Sequence, residues 1–585
     1  MKTWLFVSGD VPDILHTVRM KITNLSQGIQ MIPSSGDTPV PMPDGPEHEY
    51  VMRQGKIVFP KMLTGLASGI ALGMLFHHSV WSDHLWWTSL FLFLPLWLSP
   101  LLPPKKEFAA GLSFGLGFNG VGLFWLVPTM VHFGHVPILL AVLGFFLLCL
   151  YMSLFPAAFW TAFSLLRKEL PGLWLPVTAA ALWSVLEVAK GVLFTGFPWN
   201  PLGALPFGHP PFFLMASITG VTGLSFMIVL ANGWLAIGIE EVGKSFPTSR
   251  LPKGFPFILL SLQIIVWIGV GERSSPSPEH SARSVRVSLI QGNIPQDHKW
   301  TRPFISHSIR TYLSMSQSAI RSGGQIIIWP ETALPIAYNA PPTAVEEEVT
   351  RTFSLPVPLI TGTLGLERDE RTRSYQFSND AIGIDPQHPA PQLYRKTHLV
   401  PFGEYIPLPS LFWWLRNMTG ITGDLKPGKT PEIFSFPIEG HSLSAAPVIC
   451  YEALYPSLIR KIARRNPDLL VVLSDDAWFG NSDAPYQLFR QSLLRSVENG
   501  IPLVRSANTG ISGTVTPDGS IRGKTSLFKR QAVTILLSLS HAETFYRKYG
   551  EWVFRLSLIY LIGLFAILKM RGHRQERNLH DDRNT

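Results

Sequence analysis

The sequence predicts a multi-pass α-helical membrane domain with an inserted α/β domain, and three observations support this fold class. Charged residues make up only 15% of the 585 residues, where a typical soluble protein has about 25%. Long apolar runs crowd the first half of the chain, and one more lies near its C-terminus. Between them, residues 283–540 have the composition of a soluble domain. We therefore expect a membrane domain that carries one large domain outside the bilayer.

The predicted membrane domain has seven helices before the α/β domain and one helix after it. A helix that crosses a bilayer needs about 20 mostly apolar residues. The segments that meet this length are about 57–79, 84–103, 107–132, 136–165, 173–194, 211–238, 255–271 and 552–570. Residues 57–271 thus form the membrane domain, and 552–570 form a C-terminal transmembrane helix. The polar residues 1–56 and the basic residues 571–585 are predicted to be a cytoplasmic extension and a cytoplasmic tail.

The charges of the connecting loops predict the orientation of these helices. Lys105 and Lys106 follow the second predicted helix, and Arg167 and Lys168 follow the fourth. The alternate loops, such as "HFGH", contain neither lysine nor arginine. Because cytoplasmic loops are enriched in basic residues, we expect the basic loops to face the cytoplasm. An odd number of helices then places residues 283–540 on the opposite side.

Short apolar runs within residues 283–540 predict the strands of a layered sheet. "QIIIW", "VPLITGTL" and "DLLVVLS" are rich in β-branched residues and are followed by polar or small residues, as buried strands are. Helical stretches such as "SLIRKIARR" fall between them. "TVTPDGSIRG" predicts a hairpin with Asp518 and Gly519 at its turn. The pattern indicates mixed α/β architecture.

Three ionisable residues lie near the ends of predicted strands. Glu331 follows "QIIIW" and is either a general base or the N-cap of a helix. Lys396, in "YRKTHLVPFGEY", is either a solvated charge or a fixed positive charge for a developing oxyanion. Glu404, in the same segment, is either a surface residue or a part of that site. Taken alone, each residue leaves both interpretations open.

Cys450 is one of only two cysteines in the chain, and its surroundings suggest either a core residue or a nucleophile. "APVI" before it predicts a strand, and "ALYPSLIRKIARR" after it predicts a helix. A cysteine on such a turn lies near free backbone N–H groups and a positive helix end, which favour the thiolate. The backbone N–H of Tyr451 would then help to bind an oxyanion. The acids and the lysine at comparable strand ends favour the nucleophile.

Two further features concern the membrane. Glu187 and Lys190 lie on one face of the fifth predicted helix, and are either functional or a simple pair near the helix end. Trp413 and Trp414, in "SLFWWLRNM", either belong to a core or enter the membrane interface and cover an acyl chain. We predict that these tryptophans help to keep water from a reaction intermediate.

Four segments together carry a family resemblance. "IIIWPETALP", "YRKTHLVPFGEYIP", "VICYEALYP" and "SDDAWFGNSDAPYQ", in this order, resemble the nitrilase (carbon–nitrogen hydrolase) superfamily. Placed between membrane helices, they look like the apolipoprotein N-acyltransferase family within it. "TGFPWNPLG" and "GVTGLSF" are similar to the membrane-domain signatures of that family. The resemblance covers roughly residues 57–570, and it is the combination of motifs that is specific.

The resemblance implies a nitrilase-like αββα sandwich with a Glu-Lys-Cys triad. Glu331 would be the general base, Lys396 the oxyanion-stabilising lysine and Cys450 the nucleophile. Supporting or substrate-binding roles are implied for Glu404, Tyr451, Glu452, Trp300 and Asn379. The chain departs from the family at Asp475, where asparagine is usual, and at Leu488, where histidine is common. These departures concern the fit of the substrate, since all three triad positions are filled.

The resemblance also implies a reaction and a location. An acyl chain would pass from a membrane phospholipid, expected to be phosphatidylethanolamine, through a thioester on Cys450. The acceptor would be the α-amine of the diacylglyceryl-cysteine of a lipoprotein, so that the protein would act in lipoprotein maturation. It would lie in the bacterial cytoplasmic (inner) membrane, with its catalytic domain on the periplasmic side. The sequence contains no H-E-x-x-H, C-x-x-C or Walker pattern, so no metal or cofactor is expected.

Two rival functions remain at this point. The first is a membrane-tethered nitrilase-type amidase, which shares the triad but needs no lipid cleft. The second is a non-catalytic membrane scaffold or transporter with a degenerate outer domain, which the intact triad positions disfavour. Nucleic-acid binding is not expected, because the net charge of +9 lies beside apolar runs and forms no basic stripe.

Overall fold

The protein is described by a computed structural model, which covers residues 46–77, 85–243, 254–273, 283–296, 299–339, 346–368, 373–408 and 425–584, with Pro252 and Ser410. Residues 57–585 form one compact unit, and residues 1–56 form another. Most of the predicted cytoplasmic extension, residues 1–56, lies outside the described residues. Its described part, residues 46–56, is helical, so the first helix begins earlier than its predicted start at residue 57.

The membrane domain is built from helices of very different length. They are α1 (Pro46–Met74), α2 (Leu94–Leu98), α3 (Pro104–Gly122), α4 (Leu126–His132), α5 (Ile138–Glu169), α6 (Leu175–Lys190), α7 (Ala216–Gly243) and α8 (Phe255–Arg273). Five helical segments of the described chain, one of them C-terminal, are long and apolar enough to cross a membrane. The pair α3 and α4, bent by 51°, brings the number to six if it counts as one span. The apolar part of α1, Val58–Met74, is shorter.

The prediction of a continuous helix over 84–103 is wrong. The described part of this segment is a 3-10 helix, Trp86–Leu90, followed by the short helix α2. The break has a physical basis, because the Asn232 side chain of α7 forms hydrogen bonds with backbone groups on both sides of it. The Asn232 amide donates to the carbonyl of Ser89 at 2.9 Å and accepts from the N–H of Phe93 at 3.1 Å. Irregular backbone at membrane depth is tolerated where protein groups satisfy it in this way.

The described residues of the α/β domain form thirteen strands in two sheets. The strands are β1 (Ser284–Gln291), β2 (Ile326–Ile328), β3 (Leu334–Ala337), β4 (Leu359–Arg368), β5 (Tyr375–Asp385), β6 (His388–Arg395), β7 (Phe434–Ile438), β8 (His441–Ile449), β9 (Leu469–Ser474), β10 (Leu503–Ala507), β11 (Gly513–Val515), β12 (Ile521–Arg522) and β13 (Gln531–Ser538). The first sheet has the order β13-β1-β2-β4-β5-β6, with β3 beside β4. The second has the order β12-β11-β10-β9-β8-β7. The centre of each sheet is parallel and its edges are antiparallel.

The remaining helices complete the chain. They are α9 (Arg302–Arg321), α10 (Glu346–Phe353), α11 (Pro456–Ala463), α12 (Ala484–Asn499), α13 (Phe545–Tyr549) and α14 (Trp552–Asn584). The predicted helices "SLIRKIARR" and "QLFRQSLLRSVENG" correspond to α11 and α12. The predicted hairpin at Asp518 and Gly519 joins β11 to β12, and Gly519 supplies the positive φ of 81° that the turn requires.

Alternation of side chains along the strands produces four layers. Leu469, Val471 and Leu473 of β9 face the first sheet, and contribute to a core that includes Ile326 and Ile328 of β2. The intervening residues of β9 pack against α11 and α12 in a second core. Ile327 of β2 likewise faces α9 in a third. The result is the predicted αββα sandwich, with both faces of each sheet buried.

The membrane helices divide into inner and outer members. Helix α7 lies in the centre of the membrane domain, since 78% of its apolar stretch is buried. The buried share of the apolar stretch is only 22% in α5 and 11% in α14. Large apolar side chains stay exposed on these outer helices, among them Leu139 on α5, and Ile559 and Phe565 on α14. Such surfaces are typical of contact with lipid, and we conclude that this is a membrane protein.

Candidate active site

Cys450 lies at the sharp turn where β8 ends and a 3-10 helix, Cys450–Leu454, begins. Its φ of +49° is in the left-handed region, which a non-glycine residue adopts only when its surroundings impose it. Two hydrogen bonds fix the turn, since the fully buried Glu452 accepts one from the N–H of Ile449 at 2.8 Å and Ser474 donates one to the Cys450 sulfur at 3.4 Å. The sequence prediction of a strand-to-helix turn is therefore correct, and a short 3-10 helix precedes the predicted helix α11.

Glu452 ties the Cys450 turn to the segment that carries Lys396. Its carboxylate accepts hydrogen bonds from the Tyr394 hydroxyl at 2.7 Å and from the Thr397 N–H at 2.8 Å. The N–H of His398 donates to the same oxygen at 3.1 Å. Glu452 is thus buried between the two segments and accepts hydrogen bonds from the backbone of each, so it holds them together.

Glu331 lies just beyond β2, after Trp329 and Pro330, and its carboxylate is buried among polar groups. Its Oε1 accepts a hydrogen bond from the Asn379 amide at 2.7 Å and lies 3.6 Å from the Lys396 ammonium. Its Oε2 accepts from the backbone N–H of Asp475 at 2.9 Å. Burial is the main cause that raises the pKa of Glu331, and Lys396 opposes it. The strand β3, and not a helix, follows Glu331, so the interpretation of Glu331 as the N-cap of a helix is wrong.

Lys396 and Glu404 form a buried ion pair beside Glu331. The Lys396 ammonium lies 2.8 Å from Glu404 Oε1, and the lysine is only 1% exposed. The Asn379 amide donates to this oxygen too, at 2.9 Å, so that it bridges the two carboxylates. Burial by itself lowers the pKa of Lys396, but Glu404, Glu331 and Cys450 outweigh it and the net shift is upward. Lys396 is therefore a permanent cation.

The sulfur of Cys450 is electrostatically coupled to both groups, and its pKa is raised. Burial is the largest cause and Glu331 adds to it, while Lys396 acts in the opposite direction. The expectation that the turn would favour the thiolate is therefore wrong. A short 3-10 helix cannot outweigh the desolvation of a cysteine that is only 9% exposed and lies beside a carboxylate. The raised pKa favours the thiol form of Cys450 over the thiolate.

Tyr451 points from the cysteine turn towards the membrane domain. Its hydroxyl donates to the carbonyl of Gly196 at 3.4 Å, and that of Tyr455 donates to the same atom at 3.2 Å. The ring of Tyr451 stacks near Trp199, with 6.4 Å between centroids. The predicted membrane signature "TGFPWNPLG" thus contacts the residues that follow Cys450, and the site lies directly against the membrane domain.

Glu187 and Lys190 pair with this same signature segment. Glu187 accepts from the N–H of Leu202 at 3.0 Å, and the Lys190 ammonium donates to the carbonyl of Trp199 at 3.1 Å. Of the two interpretations of these residues, the structure favours a structural one, in which they hold the turn that reaches Tyr451.

The structure also reveals residues that the sequence did not single out. Gln487 of α12 donates to the carbonyls of Phe76 at 3.1 Å and Gly122 at 3.0 Å, and accepts from the indoles of Trp125 at 3.1 Å and Trp199 at 2.6 Å. It is the polar centre of the contact between the two domains. Only its place in the "PYQ" motif could have pointed to it.

Lys299 is the second residue that was missed. Its ammonium contacts Thr332 and the carbonyl of Glu331, and pairs with Asp475. The neighbouring Trp300, predicted to lie near the site, is 45% exposed and lies with its ring centroid 5.8 Å from the Lys299 ammonium. A substrate-binding role for Trp300 stays a prediction. Leu488, the other departure from the family pattern, is buried in the core that contains Cys450.

Trp413 and Trp414 lie outside the described residues, so their role at the membrane interface stays a prediction. In the described part of the chain, no group of three or more histidine, cysteine, aspartate or glutamate residues could hold a metal ion.

A buried cysteine, a carboxylate and a lysine come together near the ends of strands in an αββα sandwich, and the comparisons with known proteins give the class of protein to which such a domain belongs. The family model for carbon-nitrogen hydrolases matches residues 286–547. The model for the apolipoprotein N-acyltransferase N-terminal domain matches residues 68–234. An amidase from Nesterenkonia sp. is 19% identical, with a TM-score of 0.33, and the match covers 46% of this chain and 95% of that one.

Whole-chain relatives give the family. The apolipoprotein N-acyltransferase of Geobacter metallireducens is 32% identical over 87% of this chain and 95% of its own length. That of Haemophilus ducreyi is 30% identical over 82% and 92%, and that of Nitrosomonas europaea 32% identical over 79% and 88%. The chain belongs to the apolipoprotein N-acyltransferase family, and it is an acyltransferase. The family assignment disfavours both rivals, the amidase and the scaffold.

Proposed function

We propose that the protein transfers an acyl chain from a membrane phospholipid to the N-terminal α-amine of a diacylglyceryl-lipoprotein, through a thioester on Cys450. The observation that carries this proposal is the convergence of Cys450, Glu331 and Lys396 in one buried site against the membrane domain. A donor and an acceptor that are both lipids can reach such a site without leaving the bilayer.

In the first half-reaction Glu331 acts as the general base. The Cys450 thiol transfers its proton to the Glu331 carboxylate while the sulfur attacks the ester carbonyl carbon of the phospholipid. The raised pKa of Cys450 means that this proton must be removed at the moment of attack. The raised pKa of Glu331 suits a carboxylate that holds a proton between two steps.

Lys396 stabilises the oxyanion that this attack creates. Its charge is permanent, and Glu404 holds the ammonium at 2.8 Å, so little reorganisation is needed as negative charge develops. The backbone N–H of Tyr451 is the second donor. Collapse of the intermediate breaks the ester C–O bond, and the lysophospholipid leaves with the proton from Glu331. An acyl thioester on Cys450 remains.

In the second half-reaction the acceptor amine attacks the thioester. The carbon–nitrogen bond forms as the carbon–sulfur bond breaks, and Glu331 passes the proton of the amine to the leaving sulfur. The products are an amide on the lipoprotein and the free thiol. Because the first product leaves before the second substrate reacts, ping-pong kinetics are expected.

We further propose that phosphatidylethanolamine is the preferred donor and that the protein lies in the bacterial inner membrane with the catalytic domain in the periplasm. Lys105 and Lys106 lie at the start of α3, and Arg167 and Lys168 lie at the end of α5. If α3 and α4 cross as one span and α5 returns, both basic pairs fall on one side, which supports a cytoplasmic position for them. Both substrates would then meet Cys450 at the outer leaflet.

The experiment is to incubate the purified protein in lipid with an acyl-labelled phospholipid and to search for a labelled thioester by mass spectrometry. The adduct should appear on Cys450 and disappear when a lipopeptide with a free N-terminal amine is added. Cys450→Ala should abolish it. Cys149→Ala, which changes the other cysteine of the chain, is the matched control and should retain it. An adduct that survives in Cys450→Ala would refute the mechanism, and comparison of donor headgroups tests the preference for phosphatidylethanolamine.

A further inference from the structure

Lys299 is a buried cation that the mechanism above does not use. The residue is 2% exposed, and its ammonium donates to the Thr332 hydroxyl at 2.5 Å and to the backbone carbonyl of Glu331 at 3.3 Å. It also forms an ion pair with Asp475. Burial of an ammonium is costly unless it is paired and hydrogen bonded, so this arrangement has to be maintained by the fold.

Asp475 is the link between this lysine and the catalytic base. Its Oδ2 pairs with Lys299, and its Oδ1 accepts from the Asn508 amide at 3.1 Å. Its backbone N–H donates to Glu331 Oε2 at 2.9 Å. Lys299 is therefore linked to Glu331 in two ways. It donates directly to the backbone carbonyl of Glu331, and it pairs with Asp475, whose backbone N–H donates to the Glu331 carboxylate.

We propose that Lys299 and Asp475 form a positioning pair for the general base Glu331, in which Lys299 fixes the base and neutralises Asp475 beside it. The inference rests on the proposed function, because it needs Glu331 to act as the base. Asp475 is also the position at which the resemblance leads to asparagine, and in this chain its carboxylate is paired with the Lys299 ammonium.

The charges that face Glu331 determine what each substitution should do. They are Lys396 and the carboxylates of Glu404 and Asp475, with the Cys450 thiol close by. Asp475 raises the pKa of Glu331, although less than burial does. Loss of Lys299 leaves this carboxylate without its counter-charge, so the pKa of Glu331 should rise further. Loss of the Asp475 charge should lower it.

The test is the pH dependence of thioester formation in the full-length protein in lipid. Activity needs the Glu331 carboxylate, so the acidic limb of the profile follows the pKa of Glu331. We expect Lys299→Met to move that limb to higher pH by at least about half a unit, and Asp475→Asn to move it to lower pH. Lys299→Met should also slow the reaction about tenfold, because small displacements of a catalytic group are costly.

The double variant Lys299→Met/Asp475→Asn removes both charges and should bring the limb back towards the wild-type position. Lys529→Met, which changes an exposed lysine of the same domain, is the matched control and should not move it. A structural role alone would lower the yield or the rate of the single variants without opposite shifts of the limb.

The possible results are distinguishable. Opposite shifts that cancel in the double variant support the pair, whereas limbs that stay at the wild-type position overturn it. If Lys299→Met does not fold, the shift in Asp475→Asn decides by itself. Absence of the adduct in the wild type would instead refute the proposed function, before any variant is compared.

Discussion

Two buried polar regions of the molecule are stabilised in opposite ways. Around Cys450 the partners are charges, since Lys396 and Lys299 are each paired with a carboxylate. In the part of the domain contact around Gln487 the partner is a neutral amide, because the Gln487 side chain bonds only to indoles and backbone carbonyls. Both regions are almost excluded from water.

The difference reflects what each region does. A cluster of charges responds strongly to the gain or loss of a proton, because the low dielectric of the interior strengthens every interaction within it. A neutral amide holds a fixed geometry and does not change with pH. The charged region is therefore suited to proton transfer and the neutral one to keeping the two domains in register. Substitutions should separate these roles.

The largest effect on the reaction is expected from Lys396→Met. Loss of the cation beside Glu331 should reduce thioester formation by about 100-fold to 1,000-fold, as loss of a single oxyanion donor does in other enzymes. The acidic limb of the pH profile should also move to higher pH, because Lys396 lowers the pKa of Glu331 and its loss should raise that pKa. Rates are measured by mass spectrometry of the adduct. Lys426→Met, at a lysine that pairs with Glu367, is the control, and equal losses in both variants would contradict this role.

Gln487→Leu should instead destabilise the contact between the domains. It leaves the indole N–H groups of Trp125 and Trp199 without their acceptor, and the carbonyls of Phe76 and Gly122 without their donor. Each buried orphan costs about 1–3 kcal/mol, so the thermal midpoint should fall by several degrees. The positions of the limbs of the pH profile should stay unchanged. Gln387→Leu, at an exposed glutamine, should alter neither, and an unchanged midpoint in Gln487→Leu would refute the role.

The smallest effect is expected at the other end of α12, where the contact between the domains includes a titrating group. Glu498 accepts from the N–H of Val221 at 2.8 Å, beside the kink of α7 at Gly220, and pairs with Arg495 at 2.9 Å. Burial raises the pKa of Glu498 to about 7, and the nearby Glu551 adds to this. The folded protein therefore keeps a proton that the unfolded chain has lost, so stability should fall as pH rises from about 4.5 to about 7.

Glu498→Gln should flatten this pH dependence of the thermal midpoint. The control is Glu439→Gln, at an exposed glutamate, which should keep the wild-type slope. A slope that persists unchanged in Glu498→Gln would assign the pH dependence to other groups, Glu551 among them.

The sequence was sufficient where function depends on local pattern. Glu331 and Lys396 follow strands of the first sheet and Cys450 follows a strand of the second, and polar residues at strand ends are a pattern that the sequence displays locally. The same reasoning failed for the ionisation of Cys450, because the effect of a helix end can be anticipated from sequence whereas burial cannot. Desolvation decided the direction of the shift.

Residues whose partners are distant in the chain were not predictable. Gln487 and Phe76 are 411 positions apart, and Lys299 and Asp475 are 176 apart. A single sequence contains no sign that such residues meet. The predicted helix over 84–103 failed for a related reason, since its hydropathy was right but the side chain that makes a break tolerable lies on α7.

That side chain, Asn232, has a consequence for how the protein is made. The Ser89 carbonyl and the Asn232 amide that satisfies it are 143 positions apart. A ribosome completes the segment Trp86–Leu98 long before it reaches α7, and during that interval the break has no partner from α7. Since unsatisfied backbone in lipid costs several kcal/mol per group, this segment cannot settle at depth by itself. We therefore expect the final packing of this early segment to be completed only after α7 has been synthesised.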